Sequence, residues 1–217
     1  MKRTQRIAFK NGFGGRTVLR RIKNPKWSVG LGLFIQAFYG LYFSPVYLRT
    51  SQKHEIERGS NSSTYWLILE LLWRDYFKFL AIKDGYKIFN SSGLSFNHSN
   101  LTSSQTQKKD LELFKQAETM DLFINANIKE LLATGWMSNL GRQNVASYLI
   151  HDLGINCIEG AKFFEEYFIN YDPTSSYSNW RCVAGAGEAS KPGKVFNIPK
   201  QTSIYDTKIT YRKLWNT

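Results

Sequence analysis

Residues 134–182 read TGWMSNLGRQNVASYLIHDLGINCIEGAKFFEEYFINYDPTSSYSNWRC, and the periodicity of this stretch decides the fold class. Val145, Tyr148 and Leu149, then Phe163, Phe164, Tyr167 and Phe168, recur three and four residues apart, the spacing that gathers side chains on one helical face. Two amphipathic helices joined at Asp152 to Ile155 are expected. Trp136, Asn139 and Arg142 stand at one end of the stretch, and Asp172 and Trp180 at the other, so polar and aromatic groups collect where helices start and stop. An arginine, amides, a carboxylate and indoles suit a buried planar heteroaromatic ligand, whose faces need aromatic neighbours and whose edge needs hydrogen-bond partners. On residue type alone, Trp136, Phe164 and Trp180 read more simply as core.

Outward from this stretch the helical pattern continues. Ser60 to Lys83, SNSSTYWLILELLWRDYFKFLAIK, opens on Ser and Thr and carries apolar residues at 66, 67, 69, 72, 73, 76, 77 and 80. Lys108 to Leu132 reads as a further helix, and the polar run Gly85 to Gln107, rich in Ser and Asn, as a surface loop. Six or seven helices with no recurrent period-2 alternation make the fold class all-α. The boundaries expected are a basic and apolar segment over 1–40 and a helical domain over 41–217.

Composition supports a packed core: hydrophobic residues make up 42% of the 217 and aromatics 15%. The net charge of +12 asks for an anionic partner, nucleic acid before an anionic membrane. Eleven Lys or Arg residues and no Asp or Glu precede Glu55, so much of the imbalance lies in the first quarter. Residues 1–26 read as a transit peptide, a nucleic-acid arm or a solvated tail; the absence of Ser weakens the first. The location expected is cytoplasmic, or chloroplast or mitochondrion if that segment is a transit peptide. Trp27 to Leu48 is uncharged for 22 residues, long enough to cross a bilayer, although Gln36 and Pro45 lower its hydropathy. Cys157 and Cys182 lack CxxC spacing, and His54, His98 and His151 are scattered, so no metal site is expected.

The wording of the central stretch adds more. TGWMSN, GRQNVAS and YDP with a downstream NW closely resemble the flavin-binding helical domain of the cryptochrome and photolyase family, in particular its DASH branch. STYWLILELLWRDYFKFL, INANIKELLATGWM and the later FNIPKQ carry the resemblance over roughly residues 40–215. Within it, GLYFSPVYL resembles a helix start in which Ser44 caps and Pro45 takes the first helical position. The resemblance implies an FAD cofactor and light-driven electron transfer, with repair of pyrimidine dimers in single-stranded DNA or blue-light sensing as the outcome. It implies a monomer and makes a membrane partner unexpected. Carried over by position, Trp136, Asn139, Arg142, Asn170, Asp172 and Ser176 would line the flavin, and Trp180 would be the proximal electron-transfer tryptophan. Glu70, Trp73, Arg74 and Asn139 would meet DNA; Glu70 and Trp73, three apart, share a helical face.

The chain also departs from the family. Leu140 replaces an arginine, which removes a phosphate contact. Asn170 replaces an aspartate, so Arg142 would face the flavin as an uncompensated cation. Ser176 replaces a longer asparagine at the flavin, Cys157 stands where the middle tryptophan belongs, and the distal one falls near Ser104. Residues 1–40 contain no counterpart of the family's TSxLS phosphate-binding loop, and the 217 residues contain no α/β antenna domain, so no antenna chromophore is expected. These departures predict impaired photochemistry, and leave a helical DNA-binding or interaction module without flavin as the alternative, with a membrane anchor as a third reading.

Overall fold

The computed structural model describes residues 40–90, 105–186 and 193–217. Residues 1–39, most of the apolar stretch Trp27 to Leu48 and the Ser104 position lie outside the described residues. Contacts group the chain into two units, Met1–Phe79 and Leu80–Thr217. The described residues form nine α-helices and no strand, more helices than the six or seven expected and in the same all-α class.

In the first unit α1 spans Gly40–Arg58. It starts ahead of Ser44 and Pro45, which therefore lie within the helix and not at its cap and first position. The second helix, α2, spans Ser62–Asp84, two residues later than the sequence suggested. Asn61 sets that start: its Oδ1 accepts from Thr64 N at 3.2 Å while its own N donates to Thr64 Oγ1 at 3.2 Å, a reciprocal cap.

The second unit holds the remainder. Gly85–Phe89 is a 3-10 turn where the sequence predicted plain loop, with Ile88 buried. It is pinned by Arg181, whose Nη1 donates to Lys87 O at 2.9 Å and Ile88 O at 3.2 Å. The single helix expected over Lys108 to Leu132 is two, α3 (Gln105–Lys115) and α4 (Leu122–Thr134). Local side-chain bonds outcompete the helix between them. Asp121 caps Phe123 N and Ile124 N, Asn125 Oδ1 accepts from Thr119 N at 2.9 Å, and Ala117 takes a left-handed φ of 57°.

The central stretch gives α5 (Asn139–Ser147), a π-helical segment Tyr148–Asp152, and α6 (Cys157–Tyr167). Leu153 N reaches Tyr148 O at 3.0 Å, the wide-turn bond of that segment. The joint at Asp152 to Ile155 is thus found, with a π turn that periodicity does not announce. Then come α7 (Pro173–Ala184), α8 (Ile198–Tyr205) and α9 (Thr210–Trp215). Polar residues set the starts: Ser138 caps Gly141 N, Asn156 caps Ile158 N, Asp172 caps Ser175 N and Asn197 caps Lys200 N. Each such cap is worth about 1 kcal/mol. The core gathers Phe114, Ile124, Ile128, Leu131, Met137, Val145, Leu149, Phe163 and Trp180.

The last helix docks on α4 through polar contacts. Tyr211 Oη bonds Glu130 Oε2 at 2.7 Å and Asn127 Oδ1 at 3.2 Å, and Asp206 pairs with Arg212 at 2.8 Å beside it. Burial pushes the Glu130 carboxyl up from 4.5 to about 7, against the lowering pull of the Tyr211 bond. A carboxyl that binds its proton more tightly when folded makes stability fall as pH rises from about 4.5 to about 7. Glu130→Gln is expected to flatten the stability–pH curve across that window, read as the urea midpoint at each pH; an unchanged slope would count against the assignment.

Candidate functional site

Ser138 caps α5 and thereby fixes Asn139 and Arg142 on its first turn, one helical step apart. Arg142 is half-buried, and three groups receive it. Nε donates to Met137 O at 3.0 Å, Nη2 donates to Asn170 Oδ1 at 3.3 Å, and Cζ lies 3.9 Å over the Phe168 ring. No carboxylate bonds it among the described residues. The expected uncompensated cation is therefore a correction in part: the charge lacks a counter-ion, yet an amide, a carbonyl and a ring face share it. Burial pushes its pKa down to about 9, which leaves it charged at neutral pH.

Asn170 is 5% exposed, and with its Oδ1 on Arg142 its Nδ2 has no partner. A buried donor without an acceptor costs about 1–3 kcal/mol, so this amide is poised for an incoming acceptor. The Phe168 ring continues into a row: Phe164 meets it edge-on at 4.6 Å, and Trp180 meets Phe164 at 4.9 Å. Arg142, Asn170 and Trp180 are thus brought into one continuous structure by two phenylalanines that the sequence marked only as helical periodicity. Trp180 is 2% exposed and its Nε1 also lacks an acceptor.

Asp172 spends its Oδ2 on the start of α7, accepting from Ser175 N at 3.0 Å, Thr174 Oγ1 at 3.1 Å and Ser175 Oγ. It is first a helix cap, a role that YDP followed by Thr and Ser makes legible. Ser176 is half-buried one residue further on. Asn139 is buried, with Oδ1 accepting from Gln143 Nε2 at 3.4 Å, and Trp136 is half-buried after the left-handed Gly135, φ 69°.

Glu70, Trp73 and Arg74 belong to the first unit. Trp73 is 45% exposed, edge-on to Tyr76 at 5.5 Å, and Glu70 is half-buried. Arg74 differs in kind: it is buried, and its guanidinium bonds Asp75 Oδ1 at 2.6 Å.

Residues 66–216 match the family described as the FAD binding domain of DNA photolyase. The chain belongs to the photolyase FAD-binding-domain family. Among its relatives, a cryptochrome DASH of Danio rerio is 44% identical over 173 residues, covering 79% of this chain and 33% of the relative. A cryptochrome DASH of Arabidopsis thaliana named as chloroplastic/mitochondrial is 43% identical over 165 residues, covering 76% and 28%. The crystal structure of a Synechocystis cryptochrome superposes with a TM-score of 0.69 at 44% identity, over 77% of this chain and 34% of that one. The chain spans about a third of the length of these relatives.

The photolyase FAD-binding domain thus supplies the all-α architecture, and the ring row lies within the matched region. Among the described residues no His, Cys, Asp and Glu cluster could hold a metal, and no helix is long and apolar enough to cross a membrane. Cys157 is buried, and burial pushes its thiol up to about 11.

Sequence reasoning missed Gly160. It sits in α6 with the Trp180 ring against its Cα, where an added Cβ would run into that ring and stand 2.6 Å from Leu149 Cδ2. A lone glycine inside a helical pattern is the signal, since it otherwise costs about 1 kcal/mol against Ala. Gly160→Ala is expected to destabilise the fold by about 1–3 kcal/mol despite the better helix propensity, and to shift the fluorescence of Trp180. A stabilised variant with unchanged emission would contradict this packing.

Proposed function

We propose that this chain is the flavin-holding part of a DASH cryptochrome or photolyase-like protein, binding FAD against Arg142 and Asn170 and acting on single-stranded or dimer-containing DNA. The observation that carries this reading is the Arg142–Asn170 pair: a half-buried cation with no carboxylate beside a buried amide N–H with no acceptor. Such a donor set fits the acceptor-rich edge of an isoalloxazine ring. When bound, FAD would supply light absorption and one-electron exchange. Arg142 and Asn170 would hold its polar edge, Trp136 and Asn139 would flank it, Asp172 and Ser176 would stand at the α7 end, and Trp180 would be the nearest electron donor. The row Phe168, Phe164, Trp180 excludes water from that donor.

DNA binding rests on the exposed Trp73 and on the net charge of +12. Aromatic stacking holds an unpaired base and a basic surface attracts its phosphates. Glu70 shares the helical face of Trp73, whereas Arg74 would need to leave Asp75 to reach a phosphate. A chloroplast or mitochondrial location is the reading that the Arabidopsis relative's name and the basic first residues favour. The second reading, a helical DNA-binding module without flavin, is favoured by the exposed Trp73, Tyr76 and Phe79 on α2.

One measurement separates them, and a second tests the DNA contact that both share. Reconstitution with FAD is expected to give a protein-bound flavin, with Arg142→Gln weakening affinity by about tenfold or more, the loss of one charge-assisted hydrogen bond. No bound flavin at saturation would remove the first reading. Trp73→Ala is expected to weaken binding to a single-stranded oligonucleotide by about 1–3 kcal/mol, in fluorescence anisotropy at fixed salt. Unchanged affinity would remove the stacking role.

A further inference from the structure

The interface of α6 and α7 holds a group that the flavin reading does not use. Tyr177 is 6% exposed, and its Oη donates to Glu165 Oε2 at 3.1 Å. Three residues further along the same helix stands Trp180, so the two rings share one face of α7 at neighbouring positions. Their partners run in the opposite order along α6: Tyr177 meets Glu165, and Trp180 meets Phe164 and then Gly160. The two rings therefore stand at successive positions along one antiparallel helix contact, with Phe89 edge-on to Tyr177 at 5.0 Å and Phe164 edge-on to Trp180.

Their hydrogen bonding differs in a way that matters for redox chemistry. Trp180 Nε1 is buried without an acceptor, so an indole that loses an electron there cannot shed its proton and remains a strong oxidant. Tyr177 has a carboxylate on its hydroxyl. Glu165 is exposed, and can pass a proton to water. Phenylalanine rings such as Phe164 are too hard to oxidise to compete, and no carboxylate bonds Cys157 among the described residues. Tyr171 also lies towards Glu165, but its Oη has no hydrogen bond.

We propose that Tyr177, with Glu165 as its proton acceptor, is the electron donor that refills an oxidised Trp180. One electron moves from the phenol ring to the Trp180 radical cation, and the Tyr177 Oη–H bond breaks as its proton forms an O–H bond on Glu165. The products are neutral Trp180, a neutral tyrosyl radical and a protonated Glu165, so charge and hydrogen are conserved. The pair takes the place of a second indole and leads the vacancy towards the surface at Glu165. The role assigned to Trp180 rests on the flavin reading, where a photoexcited oxidised flavin is the oxidant; the Trp180–Tyr177 step itself needs only a one-electron oxidation of the indole. Burial and Glu165 hold the Tyr177 phenol up near 12, so electron loss and proton loss occur together and not through a tyrosinate.

The test uses the flavin-free chain. Ultraviolet laser photoionisation creates tryptophan radicals in buried and exposed sites alike, nitrous oxide converts the ejected electrons to hydroxyl radicals that excess tert-butanol removes, and transient absorption follows the tyrosyl band. The wild-type chain is expected to convert a fraction of its tryptophan radical into tyrosyl radical. Tyr177→Phe and Trp180→Phe are each expected to remove the same fraction, and Tyr171→Phe to leave it. Glu165→Gln, an exposed substitution that keeps the fold, is expected to slow the conversion by about tenfold or more. Tyrosyl formation unchanged in Tyr177→Phe, or in Glu165→Gln, overturns the proposal. FAD titration of the same samples tests the flavin reading separately: radical transfer without flavin uptake refutes that reading and leaves this donor in place.

Discussion

A close packing constraint among the described residues is the seat of Trp180 on Gly160. A large indole can be buried between two helices only where one of them offers bare backbone, and α6 offers it at the single position between Ala161 and Glu159 that carries no side chain. That contact sets the spacing of α6 and α7, and the spacing lets Phe164 stand edge-on to the indole and Phe168 edge-on to Phe164. The row then ends on a ring face that holds a guanidinium. A packing requirement in one interface thus fixes where a charge stands, about three side chains away. The same interface aligns Tyr177 with Glu165.

Arg142 is where packing becomes chemistry. An arginine without a carboxylate has to be shared among weaker partners, and each of these is constrained by its own element: Met137 by the turn before α5, Phe168 by the end of α6, Asn170 by the segment leading into α7. An aspartate at 170 would close this arrangement as an ion pair. The amide leaves it open, with positive charge and a spare N–H, an arrangement that suits acceptor-rich or anionic groups.

The helical class and the family were legible because they rest on local signals; the caps were not read from the sequence, although their residue types carry the signal. Ser138, Asn156, Asp172 and Asn197 announce helix starts by residue type, and YDP places its proline at a first turn. The Phe163, Phe164, Tyr167, Phe168 pattern showed that a face is buried. It did not show that Phe168 would meet Arg142, because that contact joins residues 26 apart through a turn whose geometry no periodicity encodes. The break between α3 and α4 was missed for a related reason: Lys108 to Leu132 keeps good helix formers throughout, and only the side-chain bonds of Thr119, Asp121 and Asn125 interrupt it. Arg74 is expected by resemblance to meet DNA, and its burial against Asp75 depends on packing that residue type does not reveal.

The central claim is that the Arg142–Asn170 pair is the polar wall of a flavin site. A crystal structure of the chain reconstituted with FAD tests it most directly. The account predicts the isoalloxazine ring within hydrogen-bond distance of both the Arg142 guanidinium and Asn170 Nδ2, with Trp180 behind it. A flavin bound elsewhere, with Asn170 Nδ2 still lacking an acceptor, would contradict it.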